Sequence, residues 1–238
     1  MNRDVIVALD FENGEETMGF LDNFSSPMYV KVGMELFYSE GPDIIRKIKS
    51  RGHKIFLDLK LHDIPNTVER AMRVLTRLDI DMVNVHAAGT SRMMRAALRG
   101  LRREDGTRPL LIGVTQLTST NQDQLTEEIL IDDDMEHVIM KYALNVKESG
   151  LDGVVCSPLE AAAVHRTCGS NFLTVTPGIR FRDSDIGDQS RITTPAEAGR
   201  IGSDFIVVGR PVTSSDDPAA AYARCRKEFS GEQGGSND

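Results

Sequence analysis

The chain has 238 residues, with 28 Lys+Arg against 36 Asp+Glu, a formal charge of -8, 40% apolar residues and no Trp. That length can bury a full core in one large domain or two small ones, and the ordinary apolar fraction excludes wholesale disorder. The negative balance argues against nucleic acid or an anionic membrane surface as the main partner, though a small anionic ligand would feel local charge rather than the sum. No run approaches the ~20 apolar residues of a membrane span, and the first residues lack the long apolar stretch of a signal peptide. Cys156, Cys168 and Cys225 are odd in number and share no ligand-like spacing, so neither a disulfide framework nor a zinc site is expected. A cytoplasmic globular protein is the expectation.

In chain order, β-rich runs occur at 5–10 (VIVALD), 29–33 (YVKVG), 55–60 (IFLDLK), 82–87 (MVNVHA), 110–115 (LLIGVT), 153–157 (GVVCS), 172–176 (FLTVT) and 205–210 (FIVVGR). Between them, 41–51, 67–78 and 135–149 space their apolar residues as helices do. Gly52 and Gly150 follow two of these segments and suit helix ends leading into strands. Strands alternating with helices predict parallel βαβ units. Eight units of about 30 residues match a (β/α)8 TIM barrel in a single domain. A doubly wound open sheet is the rival, disfavoured because polar residues end many strands rather than flanking one crevice. The barrel is expected over 1–229. Residues 230–238 (SGEQGGSND) read as a disordered tail, having no apolar residue to anchor them.

In such barrels the chemistry sits at the C-terminal ends of strands. Asp10 ends the first predicted strand, Lys31 lies between valines in the second, and Asp58 and Lys60 close the third, with Asp63 three residues on. Alternation along a strand puts Asp58 and Lys60 on one face. Lys31 would be costly to bury unless carboxylates surround it. The reading is an alternating cluster of Lys31, Asp58, Lys60 and Asp63, in which carboxylates keep Lys60 protonated and able to deliver a proton.

The segment 58–67 (DLKLHDIPNT) resembles the signature of the orotidine 5′-phosphate decarboxylase family, the enzymes that form UMP. The resemblance extends over most of the chain, through ALD at 8–10, KVG at 31–33, QLTS at 116–119, TPGIR at 176–180, GDQ at 187–189 and VGRP at 208–211. It implies that Lys60 protonates C6 of the pyrimidine as carbon dioxide leaves. By the same resemblance Asp58 sits against the substrate carboxylate, Lys31 holds the carboxylates and the ribose, Asp10 contacts the ribose, and Thr118 binds the pyrimidine edge. A homodimer is implied, with Asp63, Ile64 and Thr67 completing the neighbouring site. The nucleotide is the small-molecule partner, and no metal and no organic cofactor is used.

The phosphate end is also readable from the residues. Pro177 to Arg180 follow the seventh strand, and Gly209-Arg210 end the eighth. Barrel phosphate sites are often built from those two loops, with glycines admitting backbone N–H groups and arginines supplying forked donors. The long polar loop 181–189 has the profile of a lid, with Gln189 placed to meet the ligand on closure.

Other polar residues have quieter readings. His86 is expected as a hydrogen-bonded structural histidine, His62 as pointing away from the cluster or serving the interface, and the basic run 91–103 as the solvated face of an outer helix. Asp132–Asp134 precede a helix and suit its N-terminus, and the cysteines read as packing residues. Two other functions compete. One is a magnesium-dependent sugar-phosphate decarboxylase or aldolase with a similar D-x-K-x-x-D core. The other is a non-catalytic nucleotide-phosphate binder, which would have no reason to gather two lysines and two aspartates.

Overall fold

The structure is a computed structural model that describes residues 3–182 and 193–231. Its centre is a closed barrel of parallel strands in the order of the chain, β1 to β8, with β8 returning to pair with β1. The strands are β1 (Asp4–Ala8), β2 (Tyr29–Gly33), β3 (Lys54–Leu61), β4 (Met82–His86), β5 (Leu110–Val114), β6 (Gly153–Val155), β7 (Leu173–Thr176) and β8 (Phe205–Val208). All eight predicted runs are therefore strands, with ends displaced by a few residues. β1 stops at Ala8, short of the predicted Asp10, and β8 stops at Val208, short of Arg210, because Gly209 opens the short helix at Arg210.

Helices connect the strands. They are α1 (Gly14–Leu21), α2 (Met34–Glu40), α3 (Pro42–Ser50), α4 (Pro65–Leu75), α5 (Thr90–Gly100), α6 (Gln122–Glu127), α7 (Met135–Glu148), α8 (Ala161–Cys168), α9 (Pro195–Ile201), α10 (Arg210–Thr213) and α11 (Pro218–Ser230). The three helical patterns seen in the sequence correspond to α3, α4 with the 3-10 turn Thr76–Leu78, and α7. Their starts carry local signals: proline in the first turn of α3 and α4, and Asp134 accepting from the Glu136 and His137 amides at α7. Helix α11 extends to Ser230, one residue beyond the boundary expected for the barrel, and 232–238 lie outside the described residues.

Strand alternation divides the core in two. Outward residues such as Val30, Leu57, Val83 and Leu111 pack with the helices. Inward residues Ile6, Tyr29, Phe56, Met82, Ile112, Val175 and Val207 fill the lumen as a separate apolar cluster. Burying a side chain such as Phe56 contributes about 1.5–3 kcal/mol. That packed lumen closes the barrel's lower part and leaves ligand space only above it. α5, which carries most of the run 91–103, buries Met93, Met94, Ala96 and Ala97 against the barrel, so Arg92, Arg95 and Arg99 face outward as expected, while Arg103 past its end is half-buried and donates to the Ile80 carbonyl. Among the described residues no helix is long and apolar enough to cross a membrane.

Candidate active site

Just above the apolar cluster, the next inward positions of β2 and β3 are Lys31, Asp58 and Lys60, and Asp10 lies two residues past the end of β1. Asp58 is the hub. Lys60 Nζ donates to its Oδ1 at 2.7 Å, and Lys31 Nζ lies 3.6 Å from its Oδ2. Lys31 Nζ also donates to Asp10 Oδ1 at 2.9 Å. A chain of alternating charge thus runs Asp10–Lys31–Asp58–Lys60. Gly33 keeps it open, since a Cβ there would lie 3.2 Å from Lys31 Nζ.

Asp58 is buried, with only 8% of its surface exposed. Burial alone pushes its carboxyl up, but the Lys31 and Lys60 ammonium groups, with hydrogen bonds from Lys60 and Asn84, outweigh that and hold it below the usual carboxylate range. Asp58 is therefore ionised at neutral pH. Asp10 is solvent-facing, so its pairing with Lys31 is the weaker link energetically.

These groups border a cavity of about 330 Å³. Phe56, Val114, Val155, Val175 and Val207 form its apolar floor and wall, and Lys31, Asp58 and Lys60 stand on one side. Thr118 and Pro177, both predicted from the sequence, line it from the segments after β5 and β7, together with Gln116 and Ser119. A cavity with an apolar floor and few converging polar groups is the usual form of a small-molecule site.

The remaining predicted residues lie at or beyond the rim. Gly209 follows β8 beside the cluster, its notional Cβ 4.0 Å from Asp10 Oδ2. Arg210 begins α10 and is exposed, in a groove shared with Phe181 and Arg224. Arg180 is buried rather than a surface charge, and its Nη1 donates to the Ile179 carbonyl at 2.8 Å. Gln189 and most of the expected lid lie outside the described residues.

Asp63 stands apart from the cluster within one chain. It is exposed, accepts the Ile64 N–H at 2.6 Å, and lines an open groove with His62, Ile64, Pro65, Gly89, Thr90 and Arg92. Ile64 is 67% exposed and Thr67 lies on the exposed first turn of α4. The single-chain cluster inferred from charge spacing thus has Asp10 where Asp63 was placed. His86, half-buried at the end of β4, packs its ring 5.7 Å from that of His62. Burial, His62 and Lys60 push His86 down, against the opposing pull of Asp58, and keep the imidazole neutral at pH 7.

One residue of the site was not recognised in the sequence. Asn84, wholly buried on β4, donates to Asp58 Oδ1 at 2.6 Å and accepts the Lys60 backbone N–H at 2.8 Å. The available signal was an amide at an inward position of an otherwise apolar strand (MVNVH). Among the described residues, no three His, Cys, Asp or Glu side chains converge as a metal-ligand set. The three cysteines are buried in packing positions, and burial pushes their thiols up, Cys225 to about 12.

Comparison with known proteins covers nearly the whole chain. A protein from Geobacillus sp. (strain WCH70), named orotidine 5′-phosphate decarboxylase, is 55% identical over 239 residues, covering 98% of this chain and 99% of its own. One of the same name from Halalkalibacterium halodurans is 56% identical, covering 97% and 100%. The crystal structure of orotidine 5′-phosphate decarboxylase from Lactobacillus acidophilus superposes with a TM-score of 0.87 at 44% identity, over 96% of this chain and 100% of that one. With the family pattern matched from residue 3 to residue 225, on a closed eight-stranded barrel with its charged cluster at the mouth, the chain belongs to the Orotidine 5′-phosphate decarboxylase / HUMPS family.

Proposed function

We propose that this site decarboxylates orotidine 5′-phosphate to UMP and carbon dioxide, with Lys60 as the proton donor to C6 and with neither metal nor organic cofactor. The observation that carries this reading is the placement of Lys60 Nζ on Asp58, beside Lys31, at the edge of an apolar-floored cavity. When the C6–carboxylate bond breaks, its electron pair stays on C6, which has no adjacent carbonyl to delocalise it. An ammonium at that carbon stabilises the developing charge more than the ground state, then gives its proton to C6 and is reprotonated by solvent. Asp58, ionised and fixed, orients both lysines and repels a substrate carboxylate placed against it, a contribution of contested size. Thr118 would meet the pyrimidine edge, and Asp10 with Lys31 the ribose.

The phosphate is assigned to the loops carrying Pro177, Arg180, Gln189, Gly209 and Arg210, where barrels of this class commonly bind it. Contacts there, remote from C6, supply binding energy that can close a lid and complete the site. A homodimer in which Asp63, Ile64 and Thr67 reach the neighbouring site fits the exposed Ile64 beside the groove containing Asp63. A cytoplasmic location accords with the absence of a membrane-crossing helix among the described residues.

The competing readings, a magnesium-dependent sugar-phosphate enzyme and a non-catalytic nucleotide-phosphate binder, are separated by two measurements. Loss of orotidine 5′-phosphate absorbance should proceed at an unchanged rate in excess EDTA. A requirement for added magnesium, or binding of UMP without turnover of the carboxylated nucleotide, would refute the reading. For the shared site, mixing Lys60→Ala with Asp63→Ala chains should restore activity in proven heterodimers, and none regained would remove the claim that Asp63 crosses the interface.

A further inference from the structure

Strand β3 is irregular at its functional end, and one residue of β4 fits the irregularity. Pairing passes from Leu57↔Val83 directly to Leu61↔Val85, so β3 carries Asp58, Leu59 and Lys60 opposite the single residue Asn84. Extra residues of this kind leave the ladder and bend the strand, a device found beside active sites because it re-aims a side chain. Lys60 takes up the bend at φ 49, in the left-handed region disfavoured for any residue with a Cβ. Such a conformation persists only where its surroundings over-determine it.

Asn84 supplies that determination with both ends of one amide. Its Oδ1 accepts the Lys60 backbone N–H at 2.8 Å, replacing the partner the interrupted ladder does not offer. Its Nδ2 donates at 2.6 Å to Asp58 Oδ1, the same oxygen that receives Lys60 Nζ at 2.7 Å. A single rigid group thus holds both the backbone from which Lys60 rises and the carboxylate on which its ammonium rests. Asn84 is 0% exposed, and a buried amide is unfavourable unless fully bonded. An aliphatic residue would fill the same volume on a strand of Met82, Val83 and Val85, but would leave the Lys60 N–H without an acceptor.

We propose that Asn84 is a positioning residue for decarboxylation, setting the height and direction of the Lys60 ammonium over the cavity. This rests on the proton-donor reading of Lys60. The test measures kcat and KM for orotidine 5′-phosphate and the Kd for UMP in Asn84→Leu and Asn84→Ala, with Lys60→Ala alongside. Leu keeps the volume and removes both hydrogen bonds. Ala leaves space that a water can occupy, and serves as the second variant if Leu does not fold. A misplacement of an ångström can reduce turnover about 100-fold, and that is the loss expected in kcat for Asn84→Leu, with a smaller loss for Asn84→Ala. KM and UMP affinity should stay within about threefold, less than the tenfold that 1.4 kcal/mol would produce.

A folded Asn84 variant with parent-like kcat, or one losing kcat and UMP affinity equally, overturns the proposal. If Lys60→Ala is inactive while the Asn84 variants turn over normally, positioning by Asn84 alone has failed. If Lys60→Ala itself retains near-parent turnover, the proton-donor reading has failed and this proposal with it.

Discussion

The two ends of the barrel use the same residue types to opposite effect. At the base, Asp81, Asp152 and Asp204 stand just before β4, β6 and β8, and each accepts the backbone N–H of the preceding strand: Ile55 at 2.8 Å, Leu111 at 2.7 Å and Thr174 at 2.8 Å. Each also meets a basic side chain: Lys49 at 3.0 Å, Arg108 in a two-pronged pair, and His165 at 3.0 Å. These carboxylates are tied to main chain, so their charge staples neighbouring strands. At the mouth, Asp58 is bonded to side chains alone among its described partners, two lysines and Asn84, and the main chain beside it is bent. Charge saturated by backbone stabilises the fold, whereas charge balanced only by other side chains stays available to a ligand.

Removing charge from the two ends should separate activity from stability. The largest expected effect is at the mouth: Asp58→Ala should reduce kcat by about 1000-fold, as both lysines lose their common anchor, with a smaller loss of stability than substitution at the base. Steady-state kinetics with a thermal melt would check both. At the base the pattern should reverse. Asp152→Ala leaves Arg108 and the Leu111 amide without their shared acceptor and should cost about 3 kcal/mol by denaturant unfolding, with kcat per folded molecule unchanged. Equal losses at both ends would erase the distinction.

A steric change low in the barrel should act as a base substitution does. A Cβ on Gly153 would lie 2.2 Å from the Leu173 carbonyl oxygen, so Gly153→Ala should cost about 1–3 kcal/mol through displaced backbone, again without changing kcat of the folded fraction. The smallest effect is the pH response of Asp58. Its folded carboxyl is held below the ordinary aspartate value of 3.8, so its stabilising contribution is fully present above that pH and fades as pH falls through the lower folded value. The stability gap between the parent and Asp58→Asn should therefore be constant from neutrality to about pH 5 and narrow below pH 4, measured by urea unfolding.

How much of this was legible in the sequence follows the same division. The lumen and outer core were legible because strand alternation is local, and Phe56 and Leu57 announce opposite faces by spacing alone. The pairing of Asp58 with Lys60 was legible for that reason, since both keep the inward face even through the bend. Short helices such as α2 and α6, seven and six residues long, offer too little length for a helical repeat to show. The end of β1 was overrun because Asp10 looks like a strand terminus, whereas its carboxylate is placed by a contact to Lys31, 21 residues on. Asn84 and the bend at Lys60 are tertiary features. They depend on the register of β3 against β4, which no single segment encodes. The burial of Arg180 likewise arises from the packing of the loop after β7, where Ile179 pairs with Thr193.

Proton transfer from Lys60 to C6 is decided by single-turnover decarboxylation with Lys60→Ala, UMP binding serving as the control for an intact cavity. Retained UMP affinity and a rate lower by about 1000-fold or more are expected. A Lys60→Ala protein that binds UMP and decarboxylates orotidine 5′-phosphate at near-parent rate would contradict that transfer.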